Sequence, residues 1–124
     1  MILVDSSCWI EFYRADGDAA IQAAVSEALE ADQAATCDLV RVEILAFIKH
    51  QKEYDLVAGD FAALHHLATR DVDVRRAIAI GRRLRATGKT IPSTDLIIAA
   101  TALGHGARLL HADRHYDLIE ELSE

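Results

Sequence analysis

The chain has 124 residues, of which 52% are hydrophobic and 27% charged, with a single proline. That excludes a disordered polymer and supports one core in a single domain over residues 1–124. The formal charge of −7 argues against a polyanionic partner unless several acids are gathered on a metal cation.

"ILV" at positions 2–4 reads as a short buried strand ending at Asp5. From Ser6 or Ser7 the stretch "CWIEFYRA" reads as a helix stopping before Gly17. "DAAIQAAVSEALEA" is a second helix, with Ile21, Val25 and Leu29 on one face. "QAATC" reads as a second strand, and Asp38 as the N-cap of the helix "LVRVEILAFIKH". Two more helices are expected at about 54–68 and 73–87, the latter closed by Gly88. "TIPS" is extended, since Ile91 precedes Pro92. Ser93 or Thr94 then caps the helix "DLIIAATALG", which Gly104 or Gly106 ends. "ARLLH" is a last strand and "YDLIEELS" a closing helix.

This alternation predicts an α/β fold with a parallel sheet. Such folds collect functional groups outside the carboxyl ends of their strands. Asp5 and Asp113 both follow strands and so fall in one crevice. No apolar run approaches the about 18 residues of a membrane span, and no signal-peptide pattern precedes Asp5. A cytoplasmic protein without a membrane partner is expected. Cys8 and Cys37 sit in apolar settings and read as buried free thiols.

Four acids invite a common explanation, although each has an ordinary one. Asp5 can cap the first helix, and Asp95 can favour the helix dipole in the first turn of "TDLIIAATA". Asp113 can be a turn residue. Glu43 is the most unusual, because it lies in "LVRVEILAFI" beside Leu39, Val42, Leu45, Ala46 and Ile48, which call for burial. Together the four can meet at one sheet edge. Clustered carboxylates raise one another's pKa unless a cation intervenes, and Mg²⁺ or Mn²⁺ is the hard cation suited to oxygen ligands. Such a centre cleaves phosphate esters with an activated water.

"ILVDSS", "VRVEIL", "STDLIIAATAL" and "RLLHADRHYDLI" closely resemble, in order and spacing, the motifs of PIN-domain ribonucleases, and specifically the VapC toxins. The resemblance spans Ile2 to about Ile119. It implies a three-layer α/β/α domain with a central parallel sheet and a Mg²⁺- or Mn²⁺-dependent endoribonuclease. It also implies an RNA substrate, tRNA or rRNA, a homodimer and a VapB-type antitoxin that silences it. By position, Asp5, Glu43, Asp95 and Asp113 fall on the family's catalytic acids, with Asp5, Asp95 and Asp113 as metal ligands. Glu43 would orient the attacking water or take its proton, and Ser6 or Ser7 falls where a hydroxyl supports the first aspartate.

One departure stands out. Many family members carry a second aspartate two places after Asp113, where this chain has His115. His115 is read as a supporting loop histidine touching solvent or RNA phosphate, in preference to a zinc or manganese ligand. His65 and His66, expected in a helix, are given no role. In "VRRAIAIGRRLRATGK", Arg82, Arg83, Arg85 and Lys89 are candidates for steering the RNA backbone, against the plainer reading of a solvated helix face.

Rival readings have specific requirements. A receiver-like Mg²⁺-binding signalling domain needs paired acids after its first strand, where this chain has Ser6 and Ser7. It also needs a lysine after its last strand, and only Arg114 stands nearby. A haloacid-dehalogenase-like phosphatase needs Asp-x-Asp, and Ser7 occupies its second position. A catalytically inactive protein-binding module remains, with Trp9, Ile10, Phe12 and Tyr13 as apolar anchors on the first helix.

Overall fold

In the computed structural model, which describes residues 1–123, the opening aliphatic run forms strand β1 (Ile2–Val4). Leu3 and Val4 are fully buried, as a central strand covered on both faces requires. Asp5 then turns the chain. It caps helix α1 (Ser6–Tyr13) by accepting the Ser7 N–H, so its expected capping role is met. Helix α2 (Ala19–Glu30) is capped in the same way by Asp18. It leads into the wholly buried β2 (Ala34–Cys37). Helices α3 (Asp38–Leu45) and α4 (Gln51–Ala62) follow, then β3 (His65–Leu67). Helices α5 (Asp71–Ala86) and α6 (Ser93–Gly104) carry the chain to β4 (Arg108–Leu110). Two 3₁₀ turns, Arg114–Leu118 and Glu120–Ser123, close it.

The four strands are all parallel in the order β3-β2-β1-β4, with helices around the sheet in a three-layer α/β/α arrangement. Ile2 faces Ala34 on one side and Arg108 on the other. The chain therefore winds from β1 outward through β2 and β3, then returns to place β4 on the opposite flank of β1. The gap between β1 and β4 is the switch point where crossovers diverge and a crevice opens at the carboxyl ends. The Asp5 N–H bonds to Leu110 O at 2.9 Å and fixes the two ends at the same height.

Several boundaries differ from the sequence reading. The helix expected at 54–68 ends at Ala62, and His65 and His66 belong to strand β3. Asp38 is the first residue of α3, and Cys37 holds the capping position. Neither Ser93 nor Thr94 caps α6; Pro92 precedes its first turn. α3 stops at Leu45 rather than near residue 50, and the closing helix is 3₁₀ instead of α.

The phase of α3 also differs. Val40 is fully buried, whereas Val42 is exposed and Glu43 is half-buried. Glu43 lies three residues after Val40, hence on the inward face. Trp9 is taken by the core, against Phe61 at 4.9 Å between ring centres, so it is no surface anchor. Cys8 and Cys37 are free and fully buried, and burial pushes both thiols up to about 11, which leaves them without nucleophilic character. Among the described residues, no helix is long and apolar enough to cross a membrane.

Candidate metal centre

Each expected acid reaches the β1/β4 edge by a different local device. Asp5 arrives as the residue after β1 and is only 5% exposed. Its Oδ2 accepts both the N–H (3.1 Å) and the hydroxyl (2.5 Å) of Ser7. Ser7 Oγ in turn accepts the Ala112 N–H at 3.0 Å, which ties the chain after β4 to the start of α1. On the other side, Asp5 Oδ1 accepts the hydroxyl of Tyr116 at 2.7 Å.

Asp95 sits in the first turn of α6, where Pro92 supplies an extended entry and the helix dipole favours negative charge. Asp113 follows β4 and caps the first 3₁₀ turn, accepting the His115 N–H at 2.9 Å. Oxygens of Asp95 and Asp113 and a ring nitrogen of His115 all lie within 4.8 Å of one another. Glu43 approaches from α3 and accepts the Ser6 hydroxyl at 2.7 Å. Thus Ser6 holds Glu43 and Ser7 holds Asp5: adjacent hydroxyls serve two different acids.

The electrostatics are those of like charges that are partly buried and crowded together. Burial raises the pKa of Glu43, and Asp5 and Asp95 add to it, with the Ser6 hydrogen bond working the other way. Asp95 is raised by burial and then by Asp113, opposed by the His115 hydrogen bond. Burial and the Asp5 charge push the Tyr116 phenol far up, so it stays protonated and donates. Among the described residues no lysine or arginine pairs with Asp5, Glu43, Asp95 or Asp113; the only basic partner is His115. Carboxylate oxygens joined by one imidazole nitrogen are a donor set for a divalent cation, and the uncompensated charge suits one.

The PIN domain pattern matches residues 2–122. Ribonuclease VapC11 of Mycobacterium tuberculosis is 35% identical over 126 residues, which cover 99% of this chain and 94% of the relative. This chain is a PIN domain of the VapC ribonuclease family. Solved structures share the fold at lower identity. VapBC2 from Rickettsia felis, bound to a promoter DNA fragment, has a TM-score of 0.78 at 16% identity, covering 98% of this chain and 96% of that one. VapC20 of Mycobacterium tuberculosis, described as a sarcin-ricin loop cleaving toxin, has a TM-score of 0.71 at 16% identity, covering 97% and 95%.

In this PIN domain, sequence reasoning missed Tyr116. It is 1% exposed, yet it links Asp5 at 2.7 Å to Asp95 at 3.5 Å. The only available signal was an aromatic residue three places after Asp113. His115 is half exposed, and its ring faces Asp95 and Asp113. The basic candidates lie apart: none of the four bonds to the acids among the described residues. Arg83 makes a two-pronged pair with Glu121, while Arg82 and Arg85 line a groove that also includes Leu96, the chain neighbour of Asp95. Lys89 is exposed.

Proposed function

We propose that this protein is an endoribonuclease toxin that uses Mg²⁺ or Mn²⁺ to hydrolyse phosphodiester bonds in RNA, tRNA or rRNA being its target class. The observation that carries this is the meeting of Asp95, Asp113 and His115 within 4.8 Å at the edge where Asp5 is held. Asp5, Asp95 and Asp113 hold the cation through carboxylate oxygens. When bound, the cation supplies Lewis-acid polarisation of water and of the scissile phosphate. Glu43, anchored by Ser6 and poised above an ordinary glutamate, takes the proton from the attacking water. The water oxygen bonds to phosphorus, the bond to the 3′ oxygen breaks, and that oxygen takes a proton from solvent, leaving a 5′-phosphate and a 3′-hydroxyl. Arg82, Arg85 and Lys89 offer positive charge to the RNA backbone from the α5 side.

The partner is a VapB-type antitoxin, as in the toxin–antitoxin complexes that share this fold. A groove lined by Ile10, Ile44, Phe47, Ile48 and Val57 runs along α1, α3 and α4 and reaches Glu43. A peptide anchored there would end beside the acids. Val74 and Ile78 lie exposed one turn apart on α5 and suit pairing into a homodimer. The cytoplasm, where RNA is available, is the matching compartment.

The deciding experiment is cleavage of total cellular RNA by the purified, partner-free chain. It is run with Mg²⁺, with Mn²⁺ and with chelator, beside Asp5→Asn. Discrete fragments that need both the cation and Asp5 are expected. A folded chain that cuts under no cation would instead be the inactive protein-binding module.

A further inference from the structure

The acid quartet leaves one member of the cluster unexplained. His115 is placed by the chain itself: Asp113 accepts its N–H at 2.9 Å, and the next residue, Tyr116, is locked into the core. From that fixed backbone the ring turns back, with Nδ1 3.1 Å from Asp95 Oδ2 and 3.1 Å from Asp113 Oδ1. A loop histidine that only met solvent would have no reason to bisect two carboxylates. His111, two residues before Asp113, has a different job: its ring packs on Tyr116 at 4.8 Å.

Resting on the reading that these acids hold a divalent cation, we propose that His115 is a direct nitrogen ligand of that cation and makes the centre select Mn²⁺ over Mg²⁺. The chemistry follows from the donors. A carboxylate in this position would add negative charge and a hard oxygen, both suited to Mg²⁺. Imidazole is neutral when it ligates and is a better donor to transition ions, while Mg²⁺ demands oxygen ligands and keeps its waters. The exchange of oxygen for nitrogen weakens the hold on Mg²⁺ and preserves the hold on Mn²⁺. Asp95, Asp113 and His115 supply one atom each within 4.8 Å, close enough for small side-chain adjustments to bring all three onto one ion.

The test uses the full chain without RNA, loaded with Mn²⁺, and reads nitrogen coupling to the ion by pulsed electron paramagnetic resonance. Directly bonded imidazole nitrogen is expected in the wild type and in His111→Gln, and is absent in His115→Gln. By calorimetry, His115→Gln weakens Mn²⁺ binding by roughly 10-fold or more, at least the cost of removing a ligand's outer hydrogen-bond partner. Mg²⁺ binding is much less affected. His115→Asp, which restores a carboxylate, binds Mg²⁺ more tightly than the wild type and shows no nitrogen coupling. Mn²⁺ bound without nitrogen coupling in the wild type overturns the inference while leaving the cation centre intact, and so does an equal loss of both cations in His115→Gln. If neither ion binds the folded wild type, the cation centre itself falls and the inference with it.

Discussion

Tyr116 donates its hydroxyl to Asp5 Oδ1 at 2.7 Å, joining residues 111 positions apart. The bond spans the gap between β1 and the chain beyond β4. It helps to join two strand ends into one site, because the same hydroxyl also reaches Asp95 at 3.5 Å. Tyr116→Phe keeps the buried ring and removes only the donor. Thermal melts are expected to show a loss of about 1.5–3 kcal/mol, the range for hydrogen bonds to charged groups. RNA cleavage falls with it, since Asp5 is then fixed from the Ser7 side alone. Unchanged melting and cleavage would reduce the phenol to a space-filling role.

The raised acids make the cation-free protein sensitive to pH in a defined direction. Burial and neighbouring carboxylates place Glu43 and Asp95 above their ordinary values of 4.5 and 3.8. In that window the folded chain binds more protons than the unfolded chain, so these groups lower stability as pH rises through it. Asp95→Asn removes one such charge and is expected to raise the melting temperature of chelated protein at neutral pH. Cleavage is lost in that variant. Mn²⁺ is expected to stabilise the wild type more at neutral pH than in acid, where the raised Asp95 carboxyl takes up a proton and is lost as a ligand. An Asp95→Asn protein less stable than the wild type in chelator would show that holding a buried carboxylate among like charges is not the dominant stress on the site.

Glu43 offers a second pH reading, in the rate. The Ser6 hydroxyl, 2.7 Å away, is the one contact that favours its charged form. Ser6→Ala therefore lifts its pKa further. If Glu43 accepts the proton of the attacking water, the acidic limb of the kcat/KM profile at saturating cation moves to higher pH. The neutral plateau changes little. Glu43→Gln abolishes the limb together with the activity. A profile that stays in place in Ser6→Ala would take the proton-accepting role away from Glu43.

Much of this centre was legible because the signals are local. An aliphatic run ending in Asp5, and an acid just after Pro92 at the head of an apolar helix, need only neighbouring residues to interpret. β3 was not legible. "HHL" has no apolar alternation, and it is a strand because Thr36 and Cys37 of β2 present a ladder to it. The phase of α3 was misjudged for a related reason. Counting apolar residues turned Val42 inward, whereas the buried Val40 and the bond from Ser6 to Glu43 set the actual face. Tyr116 lay beyond sequence reading altogether, since its role exists only once β4 has docked on β1.

The apolar groove along α1, α3 and α4 predicts a separable function. Phe47 is 81% exposed, the most exposed large apolar side chain in the molecule as described, and it lies outside the acid cluster. Phe47→Glu is expected to leave RNA cleavage by the free toxin intact and to weaken antitoxin binding by 2 kcal/mol or more, roughly the loss seen at interface hot spots. Calorimetry against the antitoxin and cleavage in its presence read the two effects. Equal antitoxin affinity in the variant would move the docking surface elsewhere.

Gly104, the last residue of α6, controls how α6 lies on α5. A β-carbon there would stand 1.9 Å from Asp73 Oδ1 and 2.8 Å from a guanidinium nitrogen of Arg70, so the position has room only for hydrogen. Asp73 has little freedom to move aside. It is 1% exposed, and burial opposes its ionisation, yet bonds from the Arg70 backbone (2.9 Å) and side chain (3.1 Å) hold its carboxyl below the ordinary value. Gly104→Ala must push the two helices apart or break that pair, and is expected to cost about 1–3 kcal/mol, the usual range for overpacking. The charge pair and the glycine form one unit, so the cost is not additive. Asp73→Ala alone strands Arg70, but in its presence Gly104→Ala has open space to occupy and costs far less. Chemical denaturation of the four proteins measures that coupling directly. Additive losses would mean that the clash is relieved by a shift of α6 as a whole. In that case Asp95, at the other end of the same helix, would move too, and Mn²⁺ affinity would drop in Gly104→Ala even where the protein remains folded.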